Sequence, residues 1–257
     1  MRYLKISLAA LFAFIAFDSF SQGPVLTSVK GNQALKSFDK SHPGFVFGKN
    51  QSRGIIRDTL KLPFFDEFVK AGPFPDPKKW TDNQAYVNAT FALSPPSYGV
   101  ATLDNLNSKG NPYNTLSGKT SSRSDSLTSQ PINLKTRLAG MTTVKYTPAD
   151  SVYLSFFYQS QGLGDLLDNS DTLILEFKDT FKKWSRVWAV TGTKTKPFKQ
   201  ILQGIIDGKY LGPDFQFRFV NYTKNTGNLN QWHLDYIRIN RARNRHDTLV
   251  EDLAINK

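Results

Sequence analysis

The chain of 257 residues contains no cysteine, only two methionines and only three histidines. Without a thiol there is no disulfide, no thiolate nucleophile or metal ligand, and no cysteine to carry a lipid anchor. The histidines, His42, His233 and His246, are too widely spaced for an H-E-x-x-H zinc helix. Neither a G-x-S-x-G elbow nor a glycine-rich phosphate loop occurs, and Gly162-Leu163-Gly164-Asp165 is short enough to read as a turn. The paired carboxylates of sugar hydrolysis have no E-x-D-x-x-E string to supply them: Glu176 stands alone in its strand, and Asp235 has His233 and Ile237 as same-face neighbours. These absences favour a non-catalytic protein. A secreted polysaccharide- or protein-degrading enzyme, or an accessory domain of one, is the alternative.

Long apolar runs are equally scarce. There is one, Ile6 to Phe17, preceded by Arg2 and Lys5 and followed by Ser19-Phe20-Ser21. Positive n-region, apolar segment and small residues at the cut predict a secretory signal peptide over residues 1–21, cleaved before Gln22. The run ends at Asp18, short of the roughly 20 residues that a membrane span needs. The expected product is therefore secreted or displayed at the cell surface of a Gram-negative envelope, without a transmembrane anchor.

The leader carries two bases and one acid, so its loss takes the formal charge from +12 to +11. A basic exported surface is drawn to acidic polymers or anionic surfaces, and nucleic acid is not an expected partner. The densest basic stretch, Arg238, Arg241, Arg243, Arg245 and His246, reads either as a solvated linker or as a contact for an acidic surface or polymer.

Residues 22–60 are an irregular lead-in, with short strands suggested at Val25–Val29 and Gly44–Phe47. Residues 61–240 carry the periodic segments, and residues 241–257 form a charged tail or linker. The periodic segments are short. They include Ala85–Phe91, Gly99–Leu103, Leu127–Leu134 and the aromatic Val152–Tyr158, with a polar loop over residues 105–126. In Asp171–Phe177, Leu173, Leu175 and Phe177 share one face. Trp184–Val190 follows, and Phe215-Gln216-Phe217-Arg218-Phe219 alternates strictly. In the last segment Trp232, Leu234 and Tyr236 fall on one side and His233, Asp235, Ile237 and Ile239 on the other. Phe198–Ile206 fits helical spacing, although Gly204 and Gly208 oppose a long helix. No βαβ rhythm is present, so the expected fold is an all-β antiparallel sandwich, with the 20 Phe and 4 Trp filling the space between two sheets. Trp188 and Phe217 are expected in that core.

Carboxylates are better suited here to a hard cation than to catalysis. Asp66 and Glu67 flank an early strand and Asp235 lies in the last. In a sandwich those strands are often neighbours, so the three are candidate ligands for a structural Ca2+. Hydrogen bonds or ion pairs with residues such as Lys70 or Arg238 would occupy the same acids, and the two readings stay open.

Several strings form a series: Phe64-Phe65-Asp66-Glu67-Phe68 with Trp80, Tyr86-Val87-Asn88, Gly99-Val100-Ala101-Thr102-Leu103-Asp104, Ser126 to Ile132, and Leu154-Ser155-Phe156-Phe157-Tyr158. Phe217-Arg218-Phe219 and Trp232 to Ile237 complete it, over about residues 62–240. The series resembles secreted domains of Bacteroidetes, of the kind associated with type IX secretion, and MAM-type adhesion domains. The family's closing A-x-D-D-I reads His233-Leu234-Asp235-Tyr236-Ile237 here, with Tyr236 in place of the second Asp, and its paired cysteines are missing. The resemblance implies a concanavalin-like jelly roll acting as an extracellular binding or adhesion module for glycan, matrix or a surface protein.

Overall fold

The computed structural model describes residues 31–48, 59–113, 121–167, 169–224 and 230–248. The leader expected over residues 1–21, the strand suggested at Val25–Val29 and the end of the tail lie outside these residues. Among the described residues no helix is long and apolar enough to cross a membrane.

The alternating segments pair into two antiparallel sheets, as a jelly-roll sandwich requires. The larger is ordered β10 (Lys199–Gly204), β7 (Tyr153–Ser160), β12 (Trp232–Asn240), β3 (Val100–Leu103) and β2 (Tyr86–Asn88), with β1 (Phe64–Asp66) also on β12. The smaller is ordered β4 (Ser121–Thr128), β11 (Gln216–Lys224), β8 (Thr172–Lys178) and β9 (Trp184–Thr191). A separate hairpin, β5 (Thr136–Ala139) and β6 (Thr142–Lys145), turns through Gly140, whose φ of +61° suits a residue without Cβ.

Strict alternation has the expected consequence. Leu173, Leu175 and Phe177 on β8 and Phe217 and Phe219 on β11 are fully buried and face Leu154, Phe156, Trp232 and Leu234 of the opposite sheet. The first and last strands are neighbours, with Phe64 opposite Ile239 and Asp66 opposite Ile237. β1 and β3 share one edge of β12, β3 on Trp232–Leu234 and β1 on Ile237–Ile239.

Within the two sheets four expectations change. The two faces of β12 exchange midway: a bulge between Asp235 and Arg238 puts Tyr236 at φ +51°, and Ile237 and Ile239 then join Trp232 and Leu234 in the core. Phe198–Ile206 is not helical. Its residues 199–204 are edge strand β10, because pairing along β7 outweighs helical spacing in a segment interrupted by glycine. The polar stretch before Leu127 is not all loop: Ser121–Ser126 is strand, held by its ladder to β11. Trp188 is only partly buried, because β9 is a sheet edge; its ring meets Phe156 edge-on at 5.2 Å.

The lead-in is more ordered than its composition suggests. Helix α1 (Gln33–Ser41) starts at Asn32, whose side chain accepts from the Ala34 and Leu35 N–H groups at 3.0 and 3.2 Å. It docks through Leu35, and the Asn32 N–H donates to the Gly110 carbonyl. Gly44–Phe47, suggested as strand, is turn and coil. At the other end, packing continues past β12. Arg243 is buried, donating to Ser155 Oγ at 2.7 Å and to Asp247 at 2.6 Å, so this part of the basic stretch is not a solvated linker.

Candidate functional site

Of the three acids nominated for an ion, Asp66 and Asp235 are engaged separately, and Glu67 lies near enough to Asp235 for its charge to act there. Asp66 accepts from Lys79 Nζ at 2.8 Å and from the Trp80 indole N–H at 2.6 Å. Asp235 accepts from the Ser97 N–H and hydroxyl, both at 2.8 Å, and from the Tyr236 N–H at 2.6 Å. Burial nevertheless pushes the Asp235 carboxyl up to about 7, with the charge of Glu67 adding a smaller push. Among the described residues no three His, Asp or Glu side chains converge as a metal site.

The hydroxyl that faces His233 is that of Thr102, fully buried in β3. Thr102 Oγ1 accepts from Asn88 Nδ2 and lies 3.0 Å from His233 Nδ1, while Nε2 faces the Gln161 carbonyl at 3.3 Å. This network fits a neutral ring with the proton on Nε2. Burial drives the imidazole down to about 4, so it stays uncharged at neutral pH. The Ser97 hydroxyl is spent on Asp235 rather than on the histidine. Gly162 packs against the ring so closely that a Cβ there would sit 2.3 Å from Nε2.

A concave feature lies at one end of the sandwich. The β5–β6 hairpin, the segment entering β1 and the exit of β12 enclose a cavity of about 570 Å³. This is within the size range of small-ligand pockets, roughly 300–1,000 Å³. Its apolar wall is Leu62, Pro63, Leu138 and Tyr146; Lys61, Arg137 and Arg241 bring positive charge, and no carboxylate lines it. Local chemistry fixes these groups. Asn133 caps the start of the hairpin by accepting from the Lys135 and Thr136 N–H groups. Arg137 lies over the Tyr146 ring, 5.9 Å from its centre, and donates to Asp150 at 2.8 Å. Burial works against ionisation of Asp150, but the Thr147 N–H and hydroxyl and the Arg137 guanidinium outweigh it and hold the carboxyl below its ordinary value. Lys61 and Arg241 take part in none of the ion pairs among the described residues.

A second cavity, of about 610 Å³, is bordered by Phe38, Phe45, Phe47 and Phe74. Those rings mostly meet one another: Phe45 stacks on Phe74 at 5.5 Å, and Phe38 meets both edge-on at 5.1 and 5.3 Å. They form an aromatic cluster beside α1, with Phe38, Phe47 and Phe74 half-buried and Phe45 exposed.

Sequence reasoning missed the basic pocket. Arg241 stood out only as one of a basic series, and Lys61 and Arg137 not at all. The legible signal was the chain's excess of positive charge.

No protein-family model matches the chain, and comparison with curated proteins finds no match. Distant likeness to solved structures exists. An arabinose-bound α-L-arabinofuranosidase is 13% identical over 70% of this chain, with a TM-score of 0.40; the chain spans 26% of that protein's length. A xylan-binding domain of Paenibacillus barcinonensis is 11% identical, covering 72% of this chain and 98% of its own, with a TM-score of 0.34. The K3 cleaved adhesin domain of Lys-gingipain from Porphyromonas gingivalis is 8% identical, covering 68% and 97%, with a TM-score of 0.35. Similarity this distant assigns neither ligand nor activity.

Proposed function

We propose that the chain is an exported, non-catalytic binding module whose basic pocket takes the carboxylate of an acidic glycan. The observation that carries this reading is the lining of the 570 Å³ cavity, with three cationic side chains and no carboxylate. An apolar wall of Leu62, Pro63 and Tyr146 suits the carbon face of a sugar ring, and the cations suit a uronic acid. Arg241, which takes part in no ion pair among the described residues, would meet the anion without giving up a partner, and Arg137 is held in place by Asp150 and Tyr146. Hydrolysis by a carboxylate pair has no residues for it in this cavity.

The test is binding of purified residues 22–257 to acidic and neutral oligosaccharides of equal length. Uronic-acid oligomers should bind, neutral ones should not, and binding should weaken as salt rises through 0.5 M. Arg241→Glu should lower affinity by about tenfold or more, equivalent to about 1.4 kcal/mol. Equal binding of neutral and acidic oligomers, or an Arg241→Glu protein with unchanged affinity, would sink the assignment.

Export rests on the leader. Protein recovered outside the producing cell is expected to begin at Gln22, open or cyclised to pyroglutamate. Intact mass spectrometry checks it, and a mass that retains Met1 would contradict cleavage.

A further inference from the structure

The apolar interior ends abruptly at one end of the sandwich. On β11 the inward row runs Phe217, Phe219 and then Asn221 and Thr223; on β8 it runs Phe177, Leu175, Leu173 and then Asp171. β4 follows the same course, with Asp125 beyond Leu127, and β3 passes from Leu103 to Asp104. Asp104, Asp125 and Asn221 are each 0% exposed. Carboxylates so buried stay ionised only where opposite charge or a cation compensates them.

Neither acid has a basic partner among the described residues. Asp104 is met by Asn32 Nδ2 at 3.2 Å and by the Leu106 N–H at 3.3 Å. Asp125 is met by the Asn105 N–H at 2.5 Å and by the Tyr113 hydroxyl at 2.8 Å. Every one of these donors is neutral. Burial raises the Asp104 carboxyl to about 7 and Asp125 well above its ordinary value, with Asp104 adding its own repulsion to Asp125.

Asn221 supplies an independent observation. Its side chain lies against Asp125 and favours the ionised form, yet neither Oδ1 nor Nδ2 makes a hydrogen bond of normal geometry. A buried amide left in this state is destabilising until a further partner satisfies it. The amide thus carries an unused acceptor next to Asp125, and Asp125 and its neighbour Asp104 lack a counter-charge.

We infer that Asp104, Asp125 and the Asn221 amide oxygen form a buried site for a divalent cation of the calcium class. The donor set is all oxygen, which suits a hard cation and offers nothing to a thiophilic metal. Two carboxylates balance the charge of a divalent ion. Through Asn32 the ion would tie α1 to the sandwich, and through Asn105 and Tyr113 it would tie down the loop after β3. In a chain without cysteine, such an ion takes the place of a covalent staple. The site is separate from Asp66, Glu67 and Asp235.

The experiment uses the full mature chain, stripped with chelator and titrated with Tb3+ alone. Tyr113, hydrogen-bonded to Asp125, is placed to sensitise terbium luminescence. One saturating Tb3+ per chain is expected, displaced by Ca2+, with a melting temperature that rises on adding Ca2+ to the stripped protein. Loss of even an outer-shell partner commonly weakens a metal site 10–100-fold, so Asp104→Asn and Asp125→Asn should each weaken binding by about 100-fold or more. Glu67→Gln and Asp235→Asn should bind as the parent does. If an Asp variant fails to fold, Asn221→Ala gives the same reading through a smaller loss of affinity. Absence of saturable binding by the parent at millimolar Ca2+ would overturn the inference and leave a carboxyl–carboxylate pair sharing a proton. Binding that survives Asp125→Asn but disappears in Glu67→Gln would overturn it in favour of the other acids.

Discussion

Phe217→Ala is expected to destabilise the fold by about 3–5 kcal/mol, the usual cost of truncating a buried aromatic side chain. In a domain of this size that corresponds to a fall of roughly 6–20 °C in melting temperature. The ring joins the two sheets. It stands on β11 of the smaller sheet and meets Phe64, on β1 of the larger, edge-on at 5.5 Å. It also meets Trp80 at 5.7 Å and Phe219 at 6.0 Å. Trp80 is itself fully buried and bonded to Asp66, so collapse into the space left by the ring is resisted from both sides. Phe217→Leu, which keeps most of the volume, should cost much less. Urea and thermal unfolding of the three proteins decide the matter, and an Ala variant melting with the parent would mean that β11 does not face the core.

Why Phe217 was legible and other elements were not follows from what each segment exposes to one-dimensional reading. β8 and β11 lie in the middle of a sheet with one face in the core, so apolar residues recur every second position. β4 carries its burial at Asp125 and Leu127 amid serines, and only the ladder to β11 shows that it is strand. β10 has the spacing of a helix but is extended because β7 offers an unpaired edge. The phase change in β12 depends on the left-handed Tyr236, and a tyrosine gives no warning of positive φ as glycine would. The pocket was hidden for another reason: Lys61, Arg137 and Arg241 come from three separate segments and share no pattern. Asp104 and Asp125 stand apart in the same way, on β3's exit and on the polar half of β4. The pairing of first and last strands was foreseeable and is present, but Asp66 and Asp235, which it brings near one another, each have their own donors.

Asp235 gives the second large effect, and its sign is the informative part. Burial raises its carboxyl to about 7, against the pull of the Ser97 N–H and hydroxyl and the Tyr236 N–H. An Asp in an unfolded chain titrates near 3.9, so the folded state holds this proton more tightly. The resulting stabilisation is fully present below about pH 4 and is lost as pH rises through about 7. A difference of about three pKa units is worth on the order of 4 kcal/mol. The buried His233 acts in the opposite direction, losing stability as pH falls below its unfolded value near 6.5. It is common to parent and variant, as are the remaining acids. Subtracting the two stability curves therefore isolates Asp235. Asp235→Asn loses an acceptor to Ser97 or Tyr236, and that loss is a constant offset at every pH. Superimposed on it, the parent is expected to lose stability relative to the variant between pH 4 and pH 8. Urea unfolding at intervals across that range, in chelator, measures the slope. A flat difference would mean that the site is wetter than its burial implies. A parent that gains with pH would mean that the three donors outweigh burial, with the carboxylate ionised and structural throughout. Repeating the series with calcium separates the ion once expected at this carboxylate from the site at Asp125: a calcium-dependent change in the Asp235 difference would bring the closing strand back as a ligand-bearing element, and an unchanged difference would leave its carboxylate to Ser97.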